Sequence, residues 1–422
     1  MTLTPNATSG SARHSASIPS RAGSFASATL LLNVAAFASL GGILISGGLA
    51  PTLLFLSRPL TVIATGAVWT LVLAWLISNI HKRLSPVTIV LGVWGLAGFI
   101  ALLLVNSVAY ENDDRTLILV LLTAGAILAG AFQPRAALRV ARSAARTYAS
   151  VVAICLMLPS LRTLMFIDSA GSREGYISQI SDEGRMFAFT SSPNIAGALF
   201  GALLIVELST LILAPPIRLR LTSATFSVIA AVCLLFTNSQ TALLASTTAI
   251  LTMLLPHIGR RILVAGSLIL ATLPAMAVLA YIVGSQSSFP VSDDFATGRG
   301  QVWRVAAELL SASPVTGLQF SQSLPTAFAG DTSSLVYYGA QHSHNQLLQF
   351  WMLGGIFAAT FWLSFLIQSA RRTTQRGSSA SLVFLLVLSF STVPLVAFPG
   401  SVNVITTFLL IGSIRNLRQE TL

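Results

Sequence analysis

Three side chains in this sequence stand where a cation could hold an anion or an imidazole could move a proton: Arg185, Arg299 and His344. Arg299 lies between Gly298 and Gly300 at the start of a helical pattern, where free backbone N–H groups and the positive end of the helix dipole already favour an anion. A guanidinium at that point makes a phosphate clamp. It can equally snorkel at an interface or pair with Asp293 or Asp294. Arg185 precedes Phe187-Ala-Phe-Thr-Ser-Ser-Pro-Asn, just before an apolar run that opens at Pro193 and that Ser191, Ser192 or Asn194 can cap; its alternative is an ion pair with Asp182 or Glu183. His344-Asn345 opens another apolar run, and a histidine there can take a proton from a hydroxyl at neutral pH or simply be hydrogen-bonded at an interface. His342-x-His344 has the beginnings of a metal site, but no third histidine is nearby and the carboxylates are scattered. Glu207 sits inside an apolar run, a costly place for a carboxyl and by default a functional one, with no second charge in the apolar runs that makes an obvious relay partner.

The elements that must position these residues follow from composition. The chain has 422 residues, 54% hydrophobic and only 9% charged, against roughly a quarter charged in soluble domains. Apolar runs occupy residues 25–45, 60–80, 86–108, 116–132, 148–167, 193–214, 221–236, 241–256, 262–283, 345–367, 380–398 and 402–414. At 1.5 Å per residue most reach across a hydrocarbon core of roughly 30 Å, and in lipid each must be helical because nothing else pairs its backbone. The expected fold is therefore all-α: a polytopic transmembrane bundle of about twelve spans. The formal charge of +11 is dispersed in short clusters between the runs, which is a topology signal and not a nucleic-acid surface. Cys155 and Cys233 both fall within apolar runs and read as small apolar fillers.

Alternating the spans from a cytoplasmic N-terminus places every basic cluster inside. These are His81-Lys82-Arg83, Arg135/Arg139/Arg142/Arg146, Arg218/Arg220, Arg260/Arg261, Arg371/Arg372/Arg376 and Arg415/Arg418. Of the acidic residues only Glu420 then falls inside and only Glu207 within a span. Residues 1–24 form a disordered cytoplasmic tail, 25–283 hold nine spans with an external loop at about 168–192, 284–344 form a large external loop, 345–414 hold three more spans, and 415–422 return to the cytoplasm. Long loops in compact proteins are usually functional or disordered. The second loop carries its own amphipathic helix, in which Trp303, Ala306, Ala307 and Leu310 share one face.

Four patches in order give the chain a family resemblance. Arg185 with Phe189 and Pro193-Asn194 is similar to an Arg…Gly-x-Phe-x-x-Pro-Asn segment, and residues 237–244, Thr-Asn-Ser-Gln-Thr-Ala-Leu-Leu, resemble a Ser-Arg-Thr/Gly-Ala stretch between two spans. Thr297-Gly298-Arg299, Trp303 and Ser313-Pro314…Gly317 resemble a Ser-Gly-Arg…Trp…Ser-Pro…Gly block, and His344-Asn345 followed by Gly354-Gly355 resembles His-Asn-x-Tyr-Leu…Gly. Together they resemble the O-antigen ligase and O-antigen polymerase family of integral membrane glycosyltransferases. Two departures stand out: Gln240 occupies a position where the family commonly carries arginine, and Leu347 one where it carries tyrosine.

The resemblance implies transfer of glycan from an undecaprenyl-pyrophosphate carrier to a glycan or lipid acceptor on the outer side of the bacterial cytoplasmic membrane, with no cofactor, no nucleotide sugar and no obligatory metal. It casts Arg185, Arg299 and His344 as catalytic residues and Asn194, Gln240, Trp303 and Asn345 as substrate-binding or supporting ones. Two other classes compete. A transporter or flippase of lipid-linked or amphiphilic cargo predicts paired helix breaks and polarity at the midplane, whereas here polarity sits at the outer ends; a non-catalytic membrane scaffold predicts no bond chemistry at all.

Overall fold

The computed structural model describes residues 21–46, 57–79, 114–162, 165–167, 185–190, 192–213, 217–284, 288–293, 295–317, 343–373, 375–392 and 403–416. Within them the chain is helical throughout apart from one two-residue ladder. The helices are α1 (Arg21–Ser46), α2 (Ser57–Asn79), α3 (Asp114–Phe132), α4 (Pro134–Met157), the single turn α5 (Pro159–Arg162), α6 (Pro193–Leu213), α7 (Ile217–Thr237), α8 (Gln240–Leu254), α9 (His257–Val283), α10 (Phe295–Ala312), α11 (Gln346–Arg372), α12 (Arg376–Ser391) and α13 (Asn403–Asn416). Strand β1 (Phe166–Ile167) pairs antiparallel with β2 (Arg185–Met186), Ile167 facing Arg185.

Among the described residues α4, α6, α7, α9 and α11 are long and apolar enough to cross a membrane. The count of about twelve spans is therefore not reached: the run at 86–108 lies outside the described residues, and α8, α12 and α13 hold only 15, 16 and 14 residues. Residues 1–20, most of the first external loop and residues 318–342 of the second also lie outside them. Two of the short helices, α12 and α13, sit in the interior. Residues 380–388 of α12 and 403–414 of α13 are buried on every side, as expected of helices with no polar face. Around α13 pack α1, α3, α4 and α6; around α12 pack α6, α8, α9 and α11; and α7 lies along α6. Small residues allow this closeness. The Gly412 Cα side faces Leu138 on α4, Gly130 faces Ile411, and Ser381 and Ser413 join α12 to α13 through their hydroxyls at 2.8 Å.

One expected boundary is wrong. The run at 148–167 reads as a span preceded by a basic connector, but α4 begins at Pro134 and carries Arg135, Arg139, Arg142 and Arg146 within the helix. Those positions recur every third or fourth residue and so form one stripe, while the opposite face, Ala136, Ala137, Val140, Ala141, Ala144 and Ala145, is buried against the bundle. The same helix supplies the partners that Glu207 lacks in the sequence pattern. Glu207 is fully buried in α6, and its two carboxylate oxygens accept from Nε and Nη2 of Arg142 (2.8 and 2.6 Å) and of Arg146 (both 2.8 Å). Arg142 also donates to Ser223 Oγ on α7, and Arg146 lies over the Phe226 ring.

The amphipathic helix of the second loop is present as α10, and its expected face is its buried one: Trp303, Ala306, Ala307 and Leu310 are fully buried. The turn leaving α10 gives the Ser313-Pro314…Gly317 motif its structural role. Helix α11 is broken at Gly354-Gly355, where Gly355 has φ 64°. Val315 inserts its carbonyl into the break and accepts from Ile356 N at 3.1 Å, while Trp351 Nε1 donates to the Pro314 carbonyl at 2.7 Å. A Cβ on Gly355 would lie 1.9 Å from the Val315 oxygen. Gly355→Ala is therefore expected to destabilise the protein by at least about 1–2 kcal/mol from the left-handed backbone alone, read as a lower melting temperature in detergent. Unchanged melting would show that the strap is not bound there.

Candidate functional site

The start of α6 meets the end of α7 and the start of α8, and the start of α11 meets the end of α12. The expected site residues belong to these helix entrances and to α10, which the sequence places on one side. They are assembled into two polar groups held by different elements.

The first group joins the 185–194 segment to the turn between α7 and α8. Pairing of β1 with β2 fixes Arg185 beside the entrance of α6. Its Nη2 donates to Asn194 Oδ1 at 3.2 Å and its Nε to the Thr237 carbonyl at 3.4 Å. Thr237 ends α7, so that carbonyl is one of the four a helix leaves without an internal partner. Ser239 Oγ donates to the same Asn194 oxygen at 2.9 Å and caps α8 by accepting from Ala242 N. Gly197 makes the approach possible, since a Cβ there would lie 2.7 Å from the Ser239 Cβ. Burial pulls the Arg185 guanidinium below its ordinary pKa, because a half-buried cation whose partners among the described residues are neutral oxygens loses hydration without regaining charge there. Asp182 and Glu183, its alternative partners, lie outside the described residues. Gln240 follows the cap as the first residue of α8, with an exposed side chain.

The second group ties α10 to the entrance of α11. Trp303 Nε1 donates to the Ser343 carbonyl at 3.1 Å, and the Trp303 ring packs edge-on against Phe390 at 5.6 Å. Ser343 N donates to Gln349 Oε1 at 2.9 Å and Ser343 Oγ to the Asn345 carbonyl at 3.0 Å. Asn345 caps α11 by accepting from Leu348 N. Its Nδ2 donates to the carbonyls of Ala271, Ser389 and Phe390 at 3.0, 3.0 and 3.3 Å. Between these fixed neighbours His344 is held at φ 53°. Arg299 lies one turn before Trp303 on α10. The Asp293 carboxylate, one of the alternative partners of Arg299, accepts from Arg304 at 3.1 and 3.4 Å, and Arg304 also reaches Glu308. Asp294 and His342 lie outside the described residues.

The non-glycine residues with positive φ among the described residues are Ala188, Phe189, Asn238 and His344. All four fall in or beside these two groups. Such conformations cost of order 1–3 kcal/mol each and persist where surrounding bonds enforce them; here Tyr148 enforces one, donating its hydroxyl to the Ala188 carbonyl while stacking on Phe200. Among the described residues no three His, Cys, Asp or Glu side chains converge on one point. The sequence pattern places Thr237 and Ser239 in the 237–244 patch without giving either a role, and it does not single out Ser343, Gln349 or Tyr148. Only Ser239 carries a readable signal, a serine in the N-cap position of an apolar helix.

Residues 225–363 match the family model described as O-antigen ligase. The segment contains three of the four patches, with Gln240, Arg299, Trp303, His344 and Asn345, and leaves Arg185 and Asn194 upstream of it. No curated protein and no solved structure matches the chain.

Proposed function

We propose that this chain, an integral membrane protein whose resemblance to the O-antigen ligase family supports a glycan-transfer role in polysaccharide biosynthesis, moves glycan from undecaprenyl pyrophosphate to an acceptor hydroxyl at the outer face of the bacterial cytoplasmic membrane. The observation that carries this reading is the state of Arg185, a half-buried guanidinium held on neutral oxygens at a helix entrance. Such a cation favours an incoming or developing anion.

In the reaction the acceptor oxygen forms a bond to the anomeric carbon as the bond from that carbon to the carrier pyrophosphate breaks. The acceptor proton passes to His344, and the electron pair leaves with the pyrophosphate. Arg185 and Arg299 stabilise that departing charge. Asn194 orients Arg185; Trp303 and Asn345 fix the backbone on either side of His344; Gln240 faces the space where the family carries a further arginine and binds a neutral part of the donor. Both termini lie in the cytoplasm, and the substrates are the lipid-linked donor and a glycan or lipid acceptor.

Charge-assisted hydrogen bonds contribute roughly 1.5–3 kcal/mol each, so Arg299→Ala is expected to slow transfer by about 10- to 100-fold. The test is release of undecaprenyl pyrophosphate from a native lipid-linked glycan by the purified protein in nanodiscs, comparing wild type with Arg299→Ala and His344→Ala. Acceptor-dependent release that collapses in both variants supports the mechanism. Equal release by all three removes the site assignment, and movement of intact donor across the bilayer without release replaces the enzyme with a transporter.

A further inference from the structure

A second polar feature lies at the opposite end of the bundle, away from both polar groups of the candidate site. Between α9, α11 and α12 is a cavity of about 480 Å³, and its lining includes His257, Arg260, Arg261 and Arg371 with no carboxylate. Three arginines and a histidine therefore line one small volume, where the Arg260 guanidinium also reaches His257 Nδ1 at 3.4 Å and donates to the Leu255 carbonyl at 3.5 Å. A guanidinium is a cation, and like charges gathered in one cavity repel, so the arrangement is stabilised by an anion.

The rest of the lining says which kind of anion. Leu268 and Ile367 form an apolar wall below the charges, which a freely hydrated ion does not need. Around α9 from the cavity face, Ile258, Ile262 and Ile269 are exposed, and in a membrane-crossing helix that face meets acyl chains. Thr373 and Ser379 add hydroxyl groups beside the arginines. The start of α9, the end of α11 and the start of α12 meet here as well. Helix α9 starts at His257 with no side-chain cap, and its first-turn N–H groups add to the positive field.

We propose that this cavity holds the phosphate headgroup of an anionic phospholipid, with its acyl chains lying along the exposed face of α9. Basic pockets between helices near one membrane surface recognise such headgroups. The site is a lipid site of the inner leaflet under the expected orientation, and it does not depend on the glycosyl-transfer reading.

Native mass spectrometry of the full chain released from detergent, titrated with dioleoylphosphatidylglycerol or dioleoylphosphatidylcholine, reads it directly. The wild type is expected to retain the anionic lipid in preference to the zwitterionic one. Arg260→Gln with Arg371→Gln is expected to weaken that retention by about 30-fold, two arginines at roughly the strength of a basic residue near acidic lipid. Arg218→Gln with Arg220→Gln, which removes two exposed arginines from the start of α7, is expected to leave it unchanged. Ala265→Trp keeps every charge but fills the cavity that Ala265 lines, and it too is expected to lose the lipid. Equal retention of the two lipids, equal loss in the two double variants, or full retention by Ala265→Trp would overturn the proposal. Displacement of phosphatidylglycerol by millimolar inorganic phosphate would overturn the lipid in favour of a soluble anion.

Discussion

Glu207→Ala is expected to destabilise the chain by about 3–5 kcal/mol. The carboxylate is fully buried and receives four hydrogen bonds from Arg142 and Arg146. Its removal leaves two mostly buried guanidiniums facing each other with only Ser223 and the Phe226 ring as partners. The measured outcome is a sharply lower melting temperature in detergent and reduced recovery of monodisperse protein. A triple replacement of Glu207, Arg142 and Arg146 by leucine is expected to recover much of the loss, because a buried ion cluster exchanged whole for apolar groups is often close to neutral. Transfer per folded molecule is expected to stay near wild type. A Glu207→Ala protein that melts normally but transfers nothing would instead place this carboxylate in the chemistry.

The second large effect is expected at Asn345, because this one amide joins three helices. Its oxygen caps α11, and its nitrogen serves the carbonyls of Ala271, Ser389 and Phe390. Ser389 and Phe390 lie in the last turn of α12, whose carbonyls have no partner further along. Ala271 lies in α9 next to Leu270, whose carbonyl Pro274 cannot serve because it has no N–H. Asn345→Ala removes a cap worth about 1 kcal/mol and strips buried carbonyls whose desolvation costs about 1–3 kcal/mol each. Loss of several kcal/mol and near-complete loss of transfer are expected, since His344 is placed by its neighbour. Asn345→Asp separates the two halves of the amide. It keeps the acceptor for Leu348 but turns an oxygen toward three carbonyls, so it should fare no better than alanine in melting temperature. Wild-type behaviour of the aspartate variant would show that the donor side does not matter.

The sequence made the helical character and the end that carries the site readable for a simple reason: uninterrupted apolar runs admit only helices in lipid, and the basic clusters between them mark one side. What it concealed had the opposite character. Helix α4 was hidden because four arginines in one stripe lower the average hydropathy to that of a connector, although their spacing is helical and the other face is alanine-rich. Glu207 reads as isolated for the same reason, its partners falling in what looks like a loop. At the site, Arg185, Asn194, Arg299, Trp303, His344 and Asn345 could be named because their side chains are unusual for their surroundings. Ser343 could not, because serines are common in such a chain. The Ala271, Ser389 and Phe390 carbonyls could not either, since a backbone acceptor leaves no trace in residue type and these lie far from residue 345 along the chain.

Helix α11 carries the entrance residues of the site at one end and Arg371 at the other, and the Gly354-Gly355 break divides it unequally. At 1.5 Å per residue the arm toward Asn345 is about 15 Å long and the arm toward Arg371 about 24 Å. In mechanical terms it is a two-armed lever whose fulcrum is clamped from the side by the Val315 carbonyl. A jointed lever of this kind yields at its pivot before it transmits a bend, so the register of His344 is insulated from strain arising at the far face of the membrane.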